Sequence, residues 1–412
     1  MSAPAEPTLP DDILEEIFLR LDALADLARA AASCATFRRL ITARAFLRRI
    51  YALHHRRRPL LGLLLKSEGT SPCEFVPAEP PHPSAPAARG VAQQADLAFS
   101  FLPAVPGGWL LRNVRGGLAL LSTGDSPTPR GDFPDLVVCD PLHRRFVQIP
   151  PIPDDLAAAP IRSRCVLSFD YLLLREEDDS EDDSSSFRVV CRAIVAEGDA
   201  ILFVFFSSAG TAGDGIWRSA TLENCCRNST KLFMSQCTDN RYVSWQFPLS
   251  CRLLMLDIHE MEFFYIFFFR RGPSSTAIGE VVEGRFRLFD LYDDKVEIFS
   301  YPIRASVYEQ SGDDKRANLC EQCRHDKTIQ LLPGYNWKFS KPAEYEVCLL
   351  LQAHLGDDAS QFMPGTELQY FTLDLKTCLL EKLCSIKSDG TARSPQLELY
   401  TSFPMPLSLS SI

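Results

Sequence analysis

One short segment carries side chains with the spacing of metal ligands. Cys320 and Cys323 are separated by two residues, and His325 follows closely. A structural zinc site needs four ligands, usually in two tightly spaced pairs. The nearest further candidates, Cys348 and His354, do not form a second pair of that kind. The sequence therefore contains half of a zinc site and predicts no bound metal.

The sequence lacks the motifs that normally carry catalysis. It contains no Gly-x-Ser-x-Gly nucleophile motif, no Gly-Lys-Ser/Thr phosphate-binding loop and no dinucleotide-binding fingerprint. The glycine-rich stretch 210–215 joins two apolar runs and is expected to be a hairpin turn. We predict a protein with no catalytic residue and no cofactor; an active site assembled from distant residues is the alternative. The histidines, none of them in a recognisable motif, are His54, His55, His82, His143, His259, His325 and His354.

Charge is unevenly distributed along the 412 residues, whose formal net charge is −10. Residues 38–58 contain eight arginines and no acidic residue, whereas Glu176–Asp183 is almost entirely acidic. The overall acidity argues against nucleic-acid binding, because phosphate contacts need a positive surface. We expect the arginines to form a solvated face that complements an acidic partner. The acidic run is expected to be a loop, residues 175–186, between two strands.

The chain shows no sign of secretion or of membrane insertion. Met1–Pro10 has neither the basic nor the apolar region of a secretory signal. The longest nearly apolar run, Met255–Phe269, is too short to span a bilayer and is interrupted by charges. The 14 cysteines follow no regular framework and are expected to be reduced thiols. We therefore predict a cytoplasmic and/or nuclear protein with no membrane contact.

The first 58 residues have the periodicity of short amphipathic helices. Apolar residues at positions 13, 14, 17, 18 and 21 form a stripe on one helical face. Pro10, Asp11 and Asp12 are typical of a helix start, because proline fixes φ and carboxylates favour the positive end of the helix dipole. Further stripes predict three or four helices in an orthogonal bundle. A bundle this small is not very stable alone, and we expect it to complete its core against a partner.

This helical stretch resembles the F-box. The opening Leu9 and Pro10, the face that follows and the run 32–40 carry the resemblance, with Phe37 at a position where the family most often has Trp. The resemblance implies docking onto the Skp adaptor of a Skp–cullin–F-box ubiquitin ligase, and through the adaptor onto a cullin. The residues that it assigns to adaptor binding are Leu9, Pro10, Ile13, Leu14, Ile17, Leu21, Leu24, Leu27, Cys34, Phe37 and Leu40.

From residue 97 onward the sequence has the pattern of short strands and turns that is typical of an all-β protein. Short apolar runs such as Leu97–Leu102, Trp109–Val114 and Leu136–Cys139 alternate with clusters of turn residues. A weak repeat consists of an apolar strand that ends in Asp, a tight polar turn and a second strand. Such repeats predict a β-propeller of five to seven blades, with a pair of β-sandwiches as the alternative. The copies lie at 137–147, 254–263, 286–298 and 370–380, and 200–217 is a further candidate.

These patterns predict a multidomain chain that combines α-helical and all-β parts. Residues 1–58 are expected to form the small N-terminal orthogonal helical bundle, and residues 59–412 an antiparallel β-propeller-like domain. Within the second domain, Leu60–Leu65 is expected to be a buried strand. The proline-rich stretch 71–89 is expected to be a loop or linker.

Residues 60–400 resemble the C-terminal domain of plant proteins, numerous in grasses, that join an F-box to a β-propeller. The stretches 136–146, 187–191 and 332–338 carry this second resemblance. It implies a non-catalytic substrate receptor whose propeller binds a target protein for ubiquitination; the sequence does not identify the target. The alternative is a propeller-based module that binds a protein or a small ligand and has no ligase activity.

Overall fold

A computed structural model describes most of the chain in two structural parts, one helical and one built of β-sheets. The described residues are 9–21, 24–43, 45–47, 49–50, 59–66, 73–124, 133–161, 166–175, 187–195, 199–207, 215–222, 233–236, 241–246, 252–268, 275–282, 284–303, 323–340, 348–356, 363–390 and 396–402.

The N-terminal part is a bundle of short helices, as the apolar stripes predict. Its helices are α1 (Asp11–Leu19), α2 (Leu24–Ser33) and α3 (Ala35–Ile41), and residues 45–47 and 49–50 are also helical. Each helix contributes at least one side chain to a single small core. The buried members of that core are Phe18, Leu27, Ala31, Leu40, Ile41, Phe46, Leu47 and Ile50.

The second part is an antiparallel β-propeller of six blades, which confirms the predicted fold class and excludes the β-sandwich alternative. Blade I consists of β1 (Leu60–Leu65), β2 (Glu74–Pro77) and the last strand of the chain, β23 (Leu397–Thr401). Blade II consists of β3 (Leu110–Arg115), β4 (Leu118–Ser122), β5 (Leu136–Asp140) and β6 (Arg145–Ile149). Blade III consists of β7 (Val166–Arg175), β8 (Phe187–Val195), β9 (Ala200–Ser207) and β10 (Gly215–Leu222).

Blades IV to VI repeat the same four-stranded order. Blade IV consists of β11 (Phe233–Gln236), β12 (Tyr242–Gln246), β13 (Arg252–Asp257) and β14 (Glu262–Phe267). Blade V consists of β15 (Ser275–Val282), β16 (Arg285–Tyr292), β17 (Lys295–Pro302) and β18 (Arg324–Gln330). Blade VI consists of β19 (Asn336–Phe339), β20 (Cys348–His354), β21 (Glu367–Asp374) and β22 (Leu380–Lys387).

Apolar contacts between neighbouring blades hold the ring together. One buried cluster joins blades II and III, another joins III and IV, and two more join IV to V and V to VI. A fifth cluster contains residues of blades VI, I and II, so the sequence of contacts closes on itself. The continuous apolar character of the strands follows from this arrangement, because both faces of a blade are buried against its neighbours.

The repeated strand–turn–strand units of the sequence are hairpins in the structure. Residues 137–147 lie in the hairpin β5–β6, 254–263 in β13–β14, 286–298 in β16–β17 and 370–380 in β21–β22. The further candidate, 200–217, lies in the hairpin β9–β10. The glycine-rich stretch 210–215 thus connects two paired strands, although most of it lies outside the described residues.

Two sequence-based expectations about the start of the propeller need correction. The proline-rich stretch 71–89 contains β2, which pairs with β1, and the first turn of a helix, α4 (Ala85–Gln94), which packs on both strands. It is therefore part of blade I and not a linker. Leu97–Leu102 is not a strand but a series of turns, with Phe99 at φ 58°. Its apolar side chains are nevertheless buried in the cluster that joins blades VI, I and II. One further helix, α5 (Asp154–Ile161), lies between blades II and III.

The strand order gives the propeller two distinguishable faces. In each antiparallel four-stranded blade, the turns from the first to the second strand and from the third to the fourth lie on one face, and the other connections lie on the opposite face. In blade I the first three positions are taken by β23, β1 and β2, in that order. Leu60 pairs with Thr401 on the first of these faces, so the chain from the helical bundle enters β1 there. We call it the proximal face and the opposite one the distal face. The distal face carries the turn Asp293–Asp294, the connection 331–335, and residues 355–356 and 363–366 between β20 and β21.

A buried carboxylate lies where β23 closes the ring against blade II. Glu398 of β23 forms an ion pair with Lys66 at 2.6 Å and accepts a hydrogen bond from Asn113 Nδ2 at 3.1 Å. The Oδ1 atom of the same asparagine accepts a hydrogen bond from the backbone N–H of Leu173 in β7 at 2.9 Å. These contacts connect β23 of blade I, β3 of blade II and β7 of blade III.

Replacing this carboxylate tests the closure of the ring. We expect Glu398→Gln to lower the free energy of unfolding of the propeller by about 2 kcal/mol, because Lys66 loses a mostly buried ionic partner. All four tryptophans lie beyond residue 100, so tryptophan fluorescence during urea unfolding reports on the propeller alone. An unchanged unfolding midpoint would contradict the role given to Glu398.

The buried imidazole of His82 makes the stability of the propeller dependent on pH. Its Nδ1 atom accepts a hydrogen bond from the backbone N–H of Ser84, and its Nε2 atom lies 3.3 Å from Thr372 Oγ1. Burial lowers the pKa of His82 below its ordinary value, because the charged form loses hydration. The folded state therefore favours the neutral ring, and stability falls as the pH drops through the unfolded-state pKa.

We expect the urea midpoint of the propeller to decrease between pH 7 and pH 5, and His82→Gln to make that decrease smaller. Glutamine cannot be protonated in this range, so it removes the contribution of this one group. The measurement is the tryptophan-detected unfolding midpoint at several pH values. Identical pH profiles for the two proteins would show that His82 does not contribute.

Candidate partner-binding site

The first helix begins where the sequence predicts and presents its N-terminus to solvent. Pro10 is the N-cap residue of α1, and its carbonyl accepts a hydrogen bond from the N–H of Leu14 at 3.1 Å. Asp11 and Asp12 occupy the first turn, where carboxylates interact favourably with the helix dipole. Leu9 and Pro10 are exposed next to this turn. The chain thus leads into α1 with two uncovered apolar residues.

The apolar stripe of α1 divides into an inner and an outer ridge. Leu14 and Phe18, one turn apart, face the bundle core, and the ring of Phe18 is buried. Ile13 and Ile17, also one turn apart, remain 44% exposed, and Leu9 is 53% exposed. Large apolar side chains that stay uncovered on a small domain mark a surface for a partner. The outer ridge, which we define as Leu9, Pro10, Ile13 and Ile17, is therefore the candidate surface for such a partner.

The other residues assigned to adaptor binding lie at different depths. Leu21 and Phe37 are half-buried, and the ring of Phe37 packs edge-on against Phe18 with centroids 5.0 Å apart. Cys34 is exposed and is the N-cap of α3, where its sulfur accepts a hydrogen bond from the N–H of Phe37. Leu24 is the first residue of α2, and its side chain lies outside the described residues.

Leu27 and Leu40 do not lie on the surface of the bundle. Their exposed fractions are 0% and 4%, because α2 and α3 pack these side chains against Phe18 and Phe46. The expectation that they contact a partner is therefore corrected: they support the surface from within. Periodicity alone assigns Leu27 and Leu40 to the apolar stripes of their helices. It does not show whether a stripe faces the core or the solvent.

Ion pairs attach α1 to the rest of the bundle. Arg39 of α3 donates to Asp11 at 2.7 Å, and Arg49 contacts Glu15 at 3.2 Å and Glu16 at 2.6 Å. Exposed pairs of this kind contribute little stability individually. They do, however, use two of the arginines that the sequence suggested for an acidic partner, and they fix the orientation of α1. Sequence reasoning missed this pairing because acids and arginines lie about 30 residues apart along the chain.

The residues with metal-ligand spacing are not brought together. Cys320 lies outside the described residues, while Cys323 and His325 lie at the proximal end of β18 in blade V. His354 lies at the distal end of β20 in blade VI, and burial raises the pKa of the Cys348 thiol to about 12. Among the described residues, no three histidine, cysteine or acidic side chains form a group suited to a metal ion. Within the same residues, no helix is long and apolar enough to cross a membrane.

Comparison with known families identifies the helical part. Residues 7–52 match the family model described as F-box-like. The chain therefore has an F-box-like domain at its N-terminus, followed by a six-bladed β-propeller. No curated protein matches the chain.

Several solved structures show weak similarity to the chain. The dihydro-heme d1 dehydrogenase NirN is 12% identical with a TM-score of 0.31, and the match covers 69% of this chain and 59% of NirN. A putative 6-phosphogluconolactonase from Bacteroides fragilis is 10% identical with a TM-score of 0.31, and the match covers 80% of this chain and 96% of that one. The Cps50 (Swd1) β-propeller domain of Myceliophteria thermophila is 11% identical with a TM-score of 0.26, covering 68% and 76%. The chain thus spans less than two thirds of NirN, and TM-scores this low carry no conclusion about function.

The inner and outer ridges predict opposite responses to truncation. We expect Phe18→Ala to destabilise the F-box-like domain by about 3–5 kcal/mol, because it leaves a cavity in a small core. Ile17→Ala, its control, should change stability by less than about 0.5 kcal/mol. The measurement is limited proteolysis within residues 1–58, with tryptophan fluorescence showing that the propeller stays folded. Equal protection of the two variants would contradict the assignment of the ridges.

Proposed function

We propose that this chain is the substrate-recognition subunit of a Skp–cullin–F-box ubiquitin ligase. The observation that carries the proposal is the outer ridge of the F-box-like domain, where Leu9, Pro10, Ile13 and Ile17 are uncovered. The ridge docks on a Skp-type adaptor and through it on a cullin. The half-buried residues Leu14, Leu21 and Phe37, together with Leu24 and Cys34, complete the contact at its edges.

The chemistry of the ridge supports a protein partner. Isoleucine and leucine side chains gain about 25 cal/mol for each Å² of apolar surface removed from water. Protein interfaces concentrate their binding energy in a few such residues at the centre of the contact. The ridge lies mainly on a regular helix whose inner side packs on the bundle core, so the surface is ordered before a partner arrives. A preordered surface loses less entropy on binding.

The propeller holds the target and performs no chemistry itself. Binding to the assembled ligase raises the local concentration of the target's lysines near a ubiquitin-charged enzyme. Transfer of ubiquitin then depends on proximity and not on catalytic residues of this chain. This function places the protein in the cytosol or the nucleus, where such ligases and reduced cysteines occur.

Charge placed on the outer ridge tests the adaptor contact. We expect Ile13→Asp with Ile17→Asp to abolish co-purification with a Skp-type adaptor, because two carboxylates would be buried without partners. The control is Leu379→Asp, which changes an exposed leucine of the propeller. Tryptophan fluorescence shows that the propeller of each variant is folded.

Undiminished adaptor binding by the double variant would overturn the assignment of the ridge. A wild-type chain that binds no Skp-type adaptor would overturn the proposed function itself. That second result would favour a propeller that binds a partner outside any ligase.

A further inference from the structure

The exposed apolar residues of the propeller are not scattered evenly. Among its described residues, four large side chains are 49–64% exposed and belong to the distal ends of blades V and VI. The other three lie in or beside outer strands near the proximal ends of different blades. We define the distal patch by its four members, Tyr292, Leu332, Leu355 and Met363; the other three are Phe146, Ile216 and Leu379.

Strand pairing places the members of the distal patch at the same end of two neighbouring blades. Tyr292 pairs with Lys295, and Lys295 pairs with Gln330 at the end of β18, two residues before Leu332. On blade VI, Asn336 pairs with His354, so Leu355 lies beside the connection that contains Leu332. Met363 belongs to the same distal connection as Leu355, between β20 and β21. The four side chains therefore follow one path across two neighbouring blades.

Hydrogen bonds fix the backbone that carries the patch. The carbonyl of Asp294 accepts from the N–H of Leu331 at 2.8 Å and from Gln330 Nε2 at 2.9 Å. The carbonyl of Leu332 accepts from Trp337 Nε1 at 3.0 Å. The carbonyl of Met363 accepts from the N–H of Thr366 at 3.1 Å. Exposed apolar side chains on an ordered backbone are what a preorganised binding surface requires.

Charge selects the kind of partner. The turn directly after Tyr292 carries two carboxylates, exposed Asp293 and half-exposed Asp294, against one exposed ammonium group, that of Lys295, and the whole chain carries a net charge of −10. A segment with lysine or arginine beside its apolar residues is attracted by this turn and by the long-range field of the chain. A second copy of this chain would bring the same acidic turn and the same net charge, so charge disfavours self-association. The observations therefore favour a basic, apolar segment of another protein.

We propose that the distal patch is the docking site for the target protein, which it recognises by a segment with large apolar side chains next to a lysine or arginine. This inference rests on the proposed function, since it names the surface that the ligase uses for its target. The patch lies on the face opposite the one at which the chain enters β1 from the F-box-like domain.

Two random peptide libraries test the recognised chemistry. Both contain the same apolar residues, one with lysine and arginine and the other with aspartate and glutamate in their place. The full-length chain bound to its adaptor selects from each, and the affinity of the selected peptides is measured by fluorescence anisotropy. We expect binders from the basic library, with affinity reduced about tenfold or more by Leu355→Asp and left unchanged by the control Ile216→Asp.

The acidic turn has its own matched variant. Asp293→Asn with Asp294→Asn keeps the shape of the turn and the backbone carbonyl that holds Leu331. We expect it to reduce the preference for basic peptides about threefold and to make the affinity less dependent on salt.

Three results would overturn the inference. The first is selection of peptides from the acidic library only or from neither library. The second is equal affinity of the wild type and Leu355→Asp for the selected peptides. The third is light scattering that shows a dimer abolished by Leu355→Asp, which would assign the patch to self-association. Adaptor binding is scored separately on each variant, so failure here is distinguishable from failure of the proposed function.

Discussion

The pairing of β1 with β23 is the constraint on which the rest of the propeller depends. Leu63 pairs with Leu399 and Leu65 with Leu397, so the first and last strands of the domain belong to one blade. Because both ends of the domain contribute strands to one sheet, backbone hydrogen bonds close the ring in addition to the apolar contacts between blades. On its other side β1 pairs with β2, and Gly62 permits that close approach, because a Cβ atom there would collide with the carbonyl of Val76 and the ring of Phe75. The closure also places Leu60, where β1 begins, on the proximal face.

Part of this architecture could be predicted from sequence because its turns use the same local chemistry. Asp140, Asp257 and Asp374 end the third strand of blades II, IV and VI, and each carboxylate accepts hydrogen bonds from two backbone N–H groups of the following turn. Four residues after each aspartate the backbone has a positive φ, at Arg144, Met261 and Cys378. An Asp that satisfies its own turn is a strong local signal. That signal is what made the repeat visible.

The number of blades could not be obtained in the same way. The unit that contains Asp290 is the hairpin between the second and third strands of blade V, whereas the other aspartate units join third and fourth strands. The repeat therefore changes phase along the chain, and spacing alone does not count blades. Long-range pairing was equally hidden, since nothing near Leu60 in the sequence indicates Thr401 as its partner. For the F-box-like domain, the stripe on α1 was predictable, but its division into inner and outer ridges depends on packing by Phe37 and Phe46.

The two surfaces assigned to partners share a physical origin. In both, an exposed apolar side chain lies close in sequence to an aromatic residue of the core. Phe18 is buried in the bundle core next to exposed Ile17, and Trp337 is buried in blade VI five residues after exposed Leu332. Both surfaces lie outside the buried cores, because the side chains of the outer ridge and of the distal patch remain exposed. Leaving such residues exposed costs hydration free energy in the isolated chain. That cost is recovered on binding, which supports the proposal that the outer ridge and the distal patch each receive a partner.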